Sequence, residues 1–401
     1  MKRTKLIAAL LCAVIPFGTA VLPYKLPITI SAEAATVIDS GTCGKNASWQ
    51  LDADGTLTVS GTGDMYSLNS SYSIPWADKK SSIKQVVIGN GITSVGSQSF
   101  SDCTNLISVT FSDTVTSIGS SAFSGCKSLT SVTFPESMTS ISSMAFALCK
   151  GLTEVNIPSS VTYIGSLAFS NTPWLTAEAE KSQFVIVNGM LLFAADTKEA
   201  NIPDSVTTIV SNAFWGHTLL EKLNIPNTVS TIEYNAFINC SSLTSVTIPA
   251  SMNDIGMQAF QNCTSLKEVI ILSSDCKIFD RPTTFTNNGE EYTGVIKGYK
   301  GSTAEKYAEK YGRTFESLSL LGDVNRDGEI NAVDASSVLA YYAMTSTNQD
   351  GGYDEDQKLE ADVNHDGNIN AIDASNILAY YAYVSTTPEE EAKSLEEYMK
   401  K

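Results

Sequence analysis

Histidine and basic residues are scarce in this sequence, and each scarcity argues against a class of function. Only two histidines occur in 401 residues, so neither a Ser-His-Asp nor a Cys-His catalytic arrangement has an evident member to act as the base. Lysine and arginine number 26 against 43 acidic residues, which gives a formal net charge of −17. This charge argues against nucleic acid or an anionic membrane as a partner.

Long apolar runs are also rare, and the clearest one lies at the N-terminus. Basic residues precede the apolar stretch 6–21, and a small-x-small cleavage pattern follows it at 32–34. The pattern predicts a secretory signal over residues 1–35. A retained membrane anchor is the alternative, but Pro16 and Gly18 interrupt a run that would need roughly 20 apolar residues. We therefore expect an extracellular protein with no membrane span in the mature chain.

A 23-residue repeat occupies the middle of the chain. Twenty-three residues cannot bury a core alone, so the repeats must stack on one another. We predict a mainly β solenoid over 83–289, an N-terminal cap at 36–82, and a C-terminal cap at 290–318 whose helix begins after Ser302 or Thr303. The phenylalanines that mark the period are Phe100, Phe123, Phe146 and Phe169, then Phe214, Phe237 and Phe260.

The period fails once, between Phe169 and Phe214, where the interval is 45 residues. Two alternating apolar arms flank Asn188-Gly189 in this interval, which predicts a hairpin near 176–201 that replaces one turn and protrudes. The largest aromatic side chains of the repeats fall beside it. Packing under the hairpin is one interpretation of this group, and a ligand patch is the other: Trp174, Trp215 and His217.

Cysteines recur three residues after the repeated phenylalanines. We expect this column to consist of small buried thiols. Disulfides between adjacent turns are an alternative, because stacked turns bring equivalent Cα atoms within roughly 4.8 Å. Metal binding is not expected, since paired CxxC spacing and flanking histidines are missing. The column is Cys103, Cys126, Cys149, Cys240 and Cys263.

Near the C-terminus a 21-residue segment starting at Asp323 returns 39 residues later with five changes. Each copy has oxygen-bearing side chains at the first, third, fifth, ninth and twelfth places of a loop, and glycine at the sixth. The seventh place contributes a backbone carbonyl. This spacing predicts two Ca²⁺ ions, with folding coupled to binding. The candidate ligands are Asp323, Asn325, Asp327, Glu329, Asn331 and Asp334, and Asp362, Asn364, Asp366, Asn368, Asn370 and Asp373.

The duplicated loop-helix segment resembles the type I dockerin module of cellulosomal proteins. It departs from the EF-hand pattern, because the twelfth place is Asp and no helix precedes the first loop. The resemblance implies a small α-helical dockerin over 319–385, before a charged tail at 386–401, that binds a scaffoldin cohesin. Apolar surface is expected from Val338, Leu339, Tyr342, Ile377, Leu378 and Tyr381. The implied cohesin contacts are Ala332, Val333, Leu339, Ala340, Ala371, Ile372, Leu378 and Ala379.

The repeats resemble the BspA-like class of bacterial surface leucine-rich repeats. Together the two resemblances imply a secreted, non-catalytic cellulosome component whose repeats bind a protein or polysaccharide. A glycoside hydrolase and a surface adhesin are the alternatives. A hydrolase would require a pocket that brings two carboxylates within roughly 5–9.5 Å. The candidate carboxylates are scattered over the repeats: Glu154, Asp204, Glu221, Glu233, Asp254 and Glu268.

Overall fold

The computed structural model describes residues 36–67, 74–299, 301–318, 320–388 and 391–399. The secretory signal predicted for residues 1–35 lies outside them. Within the described residues, no helix has the length and apolar character needed to cross a membrane.

An antiparallel sheet covers the N-terminal end of the repeats. Its strands are β1 (Val37–Thr42), β2 (Gly44–Asp52) and β3 (Thr56–Met65). A 3₁₀ helix follows at Ala77–Ser82. The ring of Trp76 stacks on the first repeat phenylalanine, Phe100, at 5.2 Å between centroids. The cap therefore shields the aromatic core that the first turn would otherwise expose.

Each turn of the solenoid adds one strand to each of two parallel ladders. Equivalent residues pair 23 positions apart, as in Ser131 with Glu154. In each first-ladder strand of the type Ser131–Thr133, the central residue faces the core and its neighbours face solvent, as strand alternation requires. The strands of the first half are β4 (Gln85–Ile88), β5 (Ile92–Val95), β6 (Ser108–Phe111), β7 (Ser117–Ile118), β8 (Ser131–Thr133), β9 (Ser140–Ile141), β10 (Glu154–Asn156) and β11 (Tyr163–Ile164).

The repeat phenylalanines form a buried stack along the solenoid. Phe123 and Phe146 lie 5.1 Å apart between ring centroids with an interplanar angle of 9°. The cysteine column runs beside this stack. Every column thiol after Cys103 donates to the carbonyl of the phenylalanine one turn earlier, as Cys149 Sγ does to Phe123 O at 3.1 Å. The column is buried as predicted and its members are free thiols. Burial raises the pKa of Cys103 to about 12.

The irregular interval contains one helix and one hairpin. These elements are α1 (Pro173–Lys181), β12 (Phe184–Val187) and β13 (Met190–Ala194). The turn between the arms is Asn188-Gly189, with φ of 49° and 78°, as its sequence predicts. The expected protrusion is wrong, because β13 pairs in parallel with the next strand of the second ladder and its Leu191 is fully buried.

The second half of the solenoid repeats the same two ladders and ends in a mixed cap. Its strands are β14 (Glu199–Asn201), β15 (Thr208–Ile209), β16 (Lys222–Asn224), β17 (Thr231–Ile232), β18 (Ser245–Ile248), β19 (Asp254–Ile255), β20 (Glu268–Ile271) and β21 (Lys277–Ile278). A short 3₁₀ helix at Pro282–Thr284 leads to β22 (Val295–Gly298), α2 (Thr303–Lys310) and β23 (Thr314–Ser317). Ser302 is the N-cap of α2, and its hydroxyl accepts from Glu305 N at 3.3 Å.

The C-terminal region is helical and has its own small core. Its helices are α3 (Ala332–Thr345), α4 (Glu355–Ala361), α5 (Ala371–Val384) and α6 (Leu395–Met399). The expectation that Val338 and Ile377 add to an apolar surface is wrong. Both are fully buried in the core of this region, where α3 packs on α5. Leu395 of α6 is buried against the same core.

Candidate functional site

The first acidic loop brings its predicted ligands together. One carboxylate oxygen from each of Asp323, Asp327 and Asp334 lies within 4.8 Å of the others. Backbone N–H groups hold these side chains in place: Gly328 N donates to Asp323 Oδ2 at 2.9 Å, and Asn331 N donates to Asp334 Oδ2 at 2.9 Å. The glycine is required at this sharp turn, because its φ is 89°, a value that costs L side chains energy.

The electrostatics of this loop fit a divalent cation. Asp323 and Asp334 are fully buried, and burial raises the pKa of both, that of Asp334 to about 6. Arg326, at the fourth place of the loop, points to the neighbouring helix, where it pairs with Asp354 at 2.8 Å and with Glu360 at 3.3 Å. Two buried carboxylates and the exposed carboxylate of Asp327 converge, and they offer hard oxygen donors of the kind that calcium requires.

The second loop repeats the contacts of the first. Gly367 N donates to Asp362 Oδ2 at 2.9 Å, and Asn370 N donates to Asp373 Oδ2 at 3.0 Å. Asp366 N donates to Asp362 Oδ1 at 3.1 Å, which is the length of the corresponding bond in the first loop. Burial raises the pKa of Asp373. Corresponding backbone hydrogen bonds therefore hold the carboxylates of both loops.

The ninth-place asparagines cap the helices that follow the loops. Asn331 Oδ1 accepts from Val333 N at 2.7 Å, and Asn370 Oδ1 accepts from Ile372 N at 2.7 Å. Each asparagine forms a capping box with the twelfth-place aspartate, which joins loop and helix geometry. The ninth place of such loops often acts on the ion through a water molecule, and a capping side chain is compatible with that arrangement.

Helices α3 and α5 present matched apolar surfaces to solvent. Val333 and Ile372 are 59% and 57% exposed, and Leu339 and Leu378 are both 43% exposed. Ala332, Ala340, Ala371 and Ala379 are exposed beside them. All eight predicted contact residues are therefore accessible, and the two copies offer equivalent surfaces.

The aromatic patch predicted near the irregular interval is divided in the structure. Trp174 is buried, with its ring 4.9 Å from that of Phe169. Trp215 is 57% exposed and, with His217, lines a cavity of about 200 Å³. His217 occupies the cysteine column, and its Nε2 lies 2.9 Å from Ala194 O. The imidazole of His217 therefore contacts a backbone carbonyl of β13. In an intact turn, the thiol at the same position contacts the backbone carbonyl of the phenylalanine one turn earlier.

The scattered carboxylates of the repeats have structural partners. Glu221 pairs with Lys198 at 3.0 Å, and Glu268 pairs with Lys297 at 2.8 Å. Glu233 Oε2 accepts from the Ser211 hydroxyl at 2.6 Å. These contacts link neighbouring turns across the surface.

Sequence reasoning missed helix α1, although a signal for it was present. Thr172 is its N-cap and accepts from Leu175 N at 3.2 Å, and Pro173 occupies the first turn. A threonine followed by proline is a typical helix start. The helix was missed because the segment that follows this start is short and only weakly amphipathic.

Comparison with known families agrees with this architecture. The BspA type leucine rich repeat region matches residues 77–191 and 192–288 in six copies, more than half of the chain. The chain belongs to the BspA-type leucine-rich repeat family. The dockerin type I domain matches residues 321–380 of this BspA-type protein. These matches confirm the predicted solenoid with a C-terminal dockerin, and type I dockerin domains bind calcium and imply a cohesin partner.

Solved structures that are similar to parts of this BspA-type protein include two bacterial leucine-rich repeat proteins. A leucine-rich repeat protein from Eubacterium ventriosum is 24% identical, with 66% of this chain and 80% of that chain covered and a TM-score of 0.41. A leucine rich cell surface protein from Faecalibacterium prausnitzii is 21% identical, with coverages of 70% and 94% and a TM-score of 0.33. No curated protein matches the chain.

Proposed function

We propose that this protein is a secreted, non-catalytic component of a cellulosome. In this proposal the dockerin binds two calcium ions and attaches the chain to a scaffoldin cohesin, and the BspA-type repeats bind a protein or polymer ligand. The observation that carries the proposal is the pair of equivalent loop-helix units. Each unit joins a calcium-type carboxylate set to an exposed apolar helix surface through one capping box.

Calcium is the link between the two parts of each unit. Asp334 and Asp373 are the twelfth-place ligands of their loops, and each also accepts from the backbone of its helix N-cap. A cation held by these carboxylates would fix the start of α3 and α5, and with it the orientation of Val333 and Ile372. Cohesin binding should therefore depend on calcium.

For the repeats, a binding role is favoured over a catalytic one. The cavity of about 200 Å³ is lined by apolar and neutral polar groups, and Glu221, Glu233 and Glu268 are engaged with neighbouring turns. The long parallel ladders instead provide an extended surface, which is the usual binding device of solenoid proteins.

Capture on a panel of immobilised cohesins from the same organism tests the proposal. The full chain should bind at least one cohesin in calcium and none in chelator. The double variant Asp323→Ala/Asp362→Ala should lose capture. The control variant Asp275→Ala, which removes a carboxylate from the solenoid, should retain capture. Failure of every cohesin to capture the chain in calcium would contradict the proposed attachment.

A further inference from the structure

The irregular interval lacks a repeat phenylalanine at one level of the stack. Phe146 and Phe169 stack at 5.6 Å, and Phe214 and Phe237 stack at 4.7 Å. Between these pairs, the ring of Phe169 meets Trp174, and the ring of Phe214 meets His217 and, tilted at 6.4 Å, Phe184. Strand β13 passes this level in an extended conformation and places no ring in the stack. We call the space between residues 165–171 and 211–217 the slot.

The backbone of the slot has unused hydrogen-bonding groups. In intact turns each repeat phenylalanine donates its N–H to the next turn, as Phe146 N does to Ala168 O at 2.7 Å and Phe214 N does to Ala236 O at 2.8 Å. The hydrogen bonds found among the described residues include none from Phe169 N or Asn171 N. The equivalent donors one turn earlier, Phe146 N and Leu148 N, are both paired. Among the described residues, the backbone N–H groups of Phe169 and Asn171 in the slot therefore have no hydrogen-bond acceptor.

The interior of the slot is apolar and large enough for one aromatic ring. It holds a cavity of about 200 Å³, whose walls include Ala168, Phe169, Leu192, Val210 and Ala213. No Asp, Glu, Lys or Arg is among the described residues that line it. An apolar cavity of about 150 Å³ in another protein accepts benzene, so an uncharged aromatic side chain fits the size and the polarity of this one.

The slot is preformed. Asn212 Nδ2 donates to Ser166 Oγ at 2.6 Å and joins its two walls. His217 Nε2 lies 2.9 Å from Ala194 O and ties the second wall to β13. Because both links are made by side chains already in place, an occupant need not organise the walls, which reduces the entropic cost of binding.

We propose that the slot binds an extended segment of a partner protein, one aromatic side chain of which fills the cavity beside Phe169. The backbone carbonyls of that segment accept from Phe169 N and Asn171 N, as an added strand does at a sheet edge. A free aromatic molecule would fill the cavity and leave both donors unpaired, which is unfavourable. The inference specifies the ligand of the binding role proposed for the repeats, and it does not depend on the dockerin.

A peptide copied from one of the protein's own intact turns is the most direct probe. Residues 142–148 contain Phe146 and the backbone groups that pair with neighbouring turns. Calorimetric titration of this peptide into the full chain should show binding. The same peptide with Phe146→Ala should bind at least tenfold more weakly, because the ring contributes most of the buried area.

Two matched tryptophan variants locate the site. Ser170 lines the slot, and Ser170→Trp should abolish peptide binding. Ser124, the equivalent residue of an intact turn, is partly buried, and Ser124→Trp should leave peptide binding unchanged. Cohesin capture should be the same for both variants, so a failure of this inference is separate from a failure of the attachment proposed above.

Other results of these experiments would contradict peptide binding in the slot. Lack of binding at millimolar peptide, or equal binding of the phenylalanine and alanine peptides to the unaltered chain, would overturn the inference without reference to any variant. Binding of phenol in the slot, with no peptide binding, would assign it to a small aromatic molecule instead. Retention of peptide binding by folded Ser170→Trp would place the interaction elsewhere.

Discussion

The phenol of Tyr299, in the C-terminal cap of the solenoid, lies close enough to the carboxylate of Asp323, at the first place of the first acidic loop, to shift the pKa of that carboxylate. Tyr299 is almost fully buried. A second contact joins the same parts of the chain, since Asn227 Nδ2 lies 3.4 Å from Glu329 Oε1. Burial raises the pKa of Asp323, and the nearby Tyr299 hydroxyl opposes that rise. The solenoid therefore helps to orient a ligand of the first loop but makes no equivalent contact to Asp362 among the described residues.

This contact predicts that the two proposed calcium sites differ in their dependence on the solenoid. Changes to groups that orient metal ligands typically cost about 10–100-fold in affinity. We expect Tyr299→Phe to weaken one of two calcium sites roughly tenfold and to leave the other unchanged, as measured by calorimetric titration of the full chain. Tyr292→Phe is the control, because its hydroxyl donates to Val295 O at 3.3 Å, away from the loops. Equal effects of both changes would contradict the orienting role of Tyr299.

Removal of calcium should unfold the dockerin and spare the repeats. Asp323 and Asp334 are buried close together, and without a cation their charges repel. We expect chelator to remove the helical signal of residues 320–388 in circular dichroism and to expose them to protease, while the β signal of the solenoid persists. Restoring calcium should reverse both effects. Loops that stay protected in chelator would not be calcium sites.

Helices α3 and α5 are proposed to offer two equivalent surfaces to cohesin, which predicts that either surface alone is enough for binding. Leu339 and Leu378 are equally exposed on equivalent surfaces, so Leu339→Asp or Leu378→Asp alone should leave one surface intact and weaken cohesin binding only about twofold. The double variant should lose binding. Leu359, an exposed leucine of α4, provides the control change to Asp. Complete loss from one single change would show that only one helix docks.

The phenylalanine stack should dominate the stability of the solenoid. Phe146 is fully buried between two stacked rings, and Phe146→Ala should lower the free energy of unfolding by about 3–5 kcal/mol. Leu148 lies in the same turn but is 46% exposed. Leu148→Ala should therefore change the free energy of unfolding by no more than about 0.5 kcal/mol. Urea unfolding followed by the β signal compares the two. Similar effects would mean that the stack does not carry the core.

The repeats and the acidic loops were predictable from the sequence, because their structure depends on a constant repeat spacing or on residues close together in the chain. A constant 23-residue step places Phe123 over Phe146 regardless of the loops between them, and a twelve-residue spacing with glycine at the sixth place leaves the first loop few conformations. Both predictions hold in the structure. The burial of Val338 was missed because a helix adjacent to another exposes only part of its apolar surface.

The irregular interval was not predictable in detail, because its structure depends on contacts between distant residues. Asn188-Gly189 indicated a hairpin, but only the parallel pairing of β13 shows that it stays within the solenoid. The slot depends on the bond from Asn212 to Ser166, which are 46 residues apart, and on an N–H left unpaired at Phe169. No local pattern in the sequence encodes these relationships.

The most direct test of the central claim is the binding of the full chain to a surface-immobilised cohesin as calcium is supplied and withdrawn. The structure predicts that the chain binds in calcium, dissociates intact when chelator replaces calcium, and binds again when calcium returns. Retention in chelator would show that the carboxylates of the two loops do not control docking. Absence of binding to any cohesin in calcium would contradict the assignment of this C-terminal region as the attachment module.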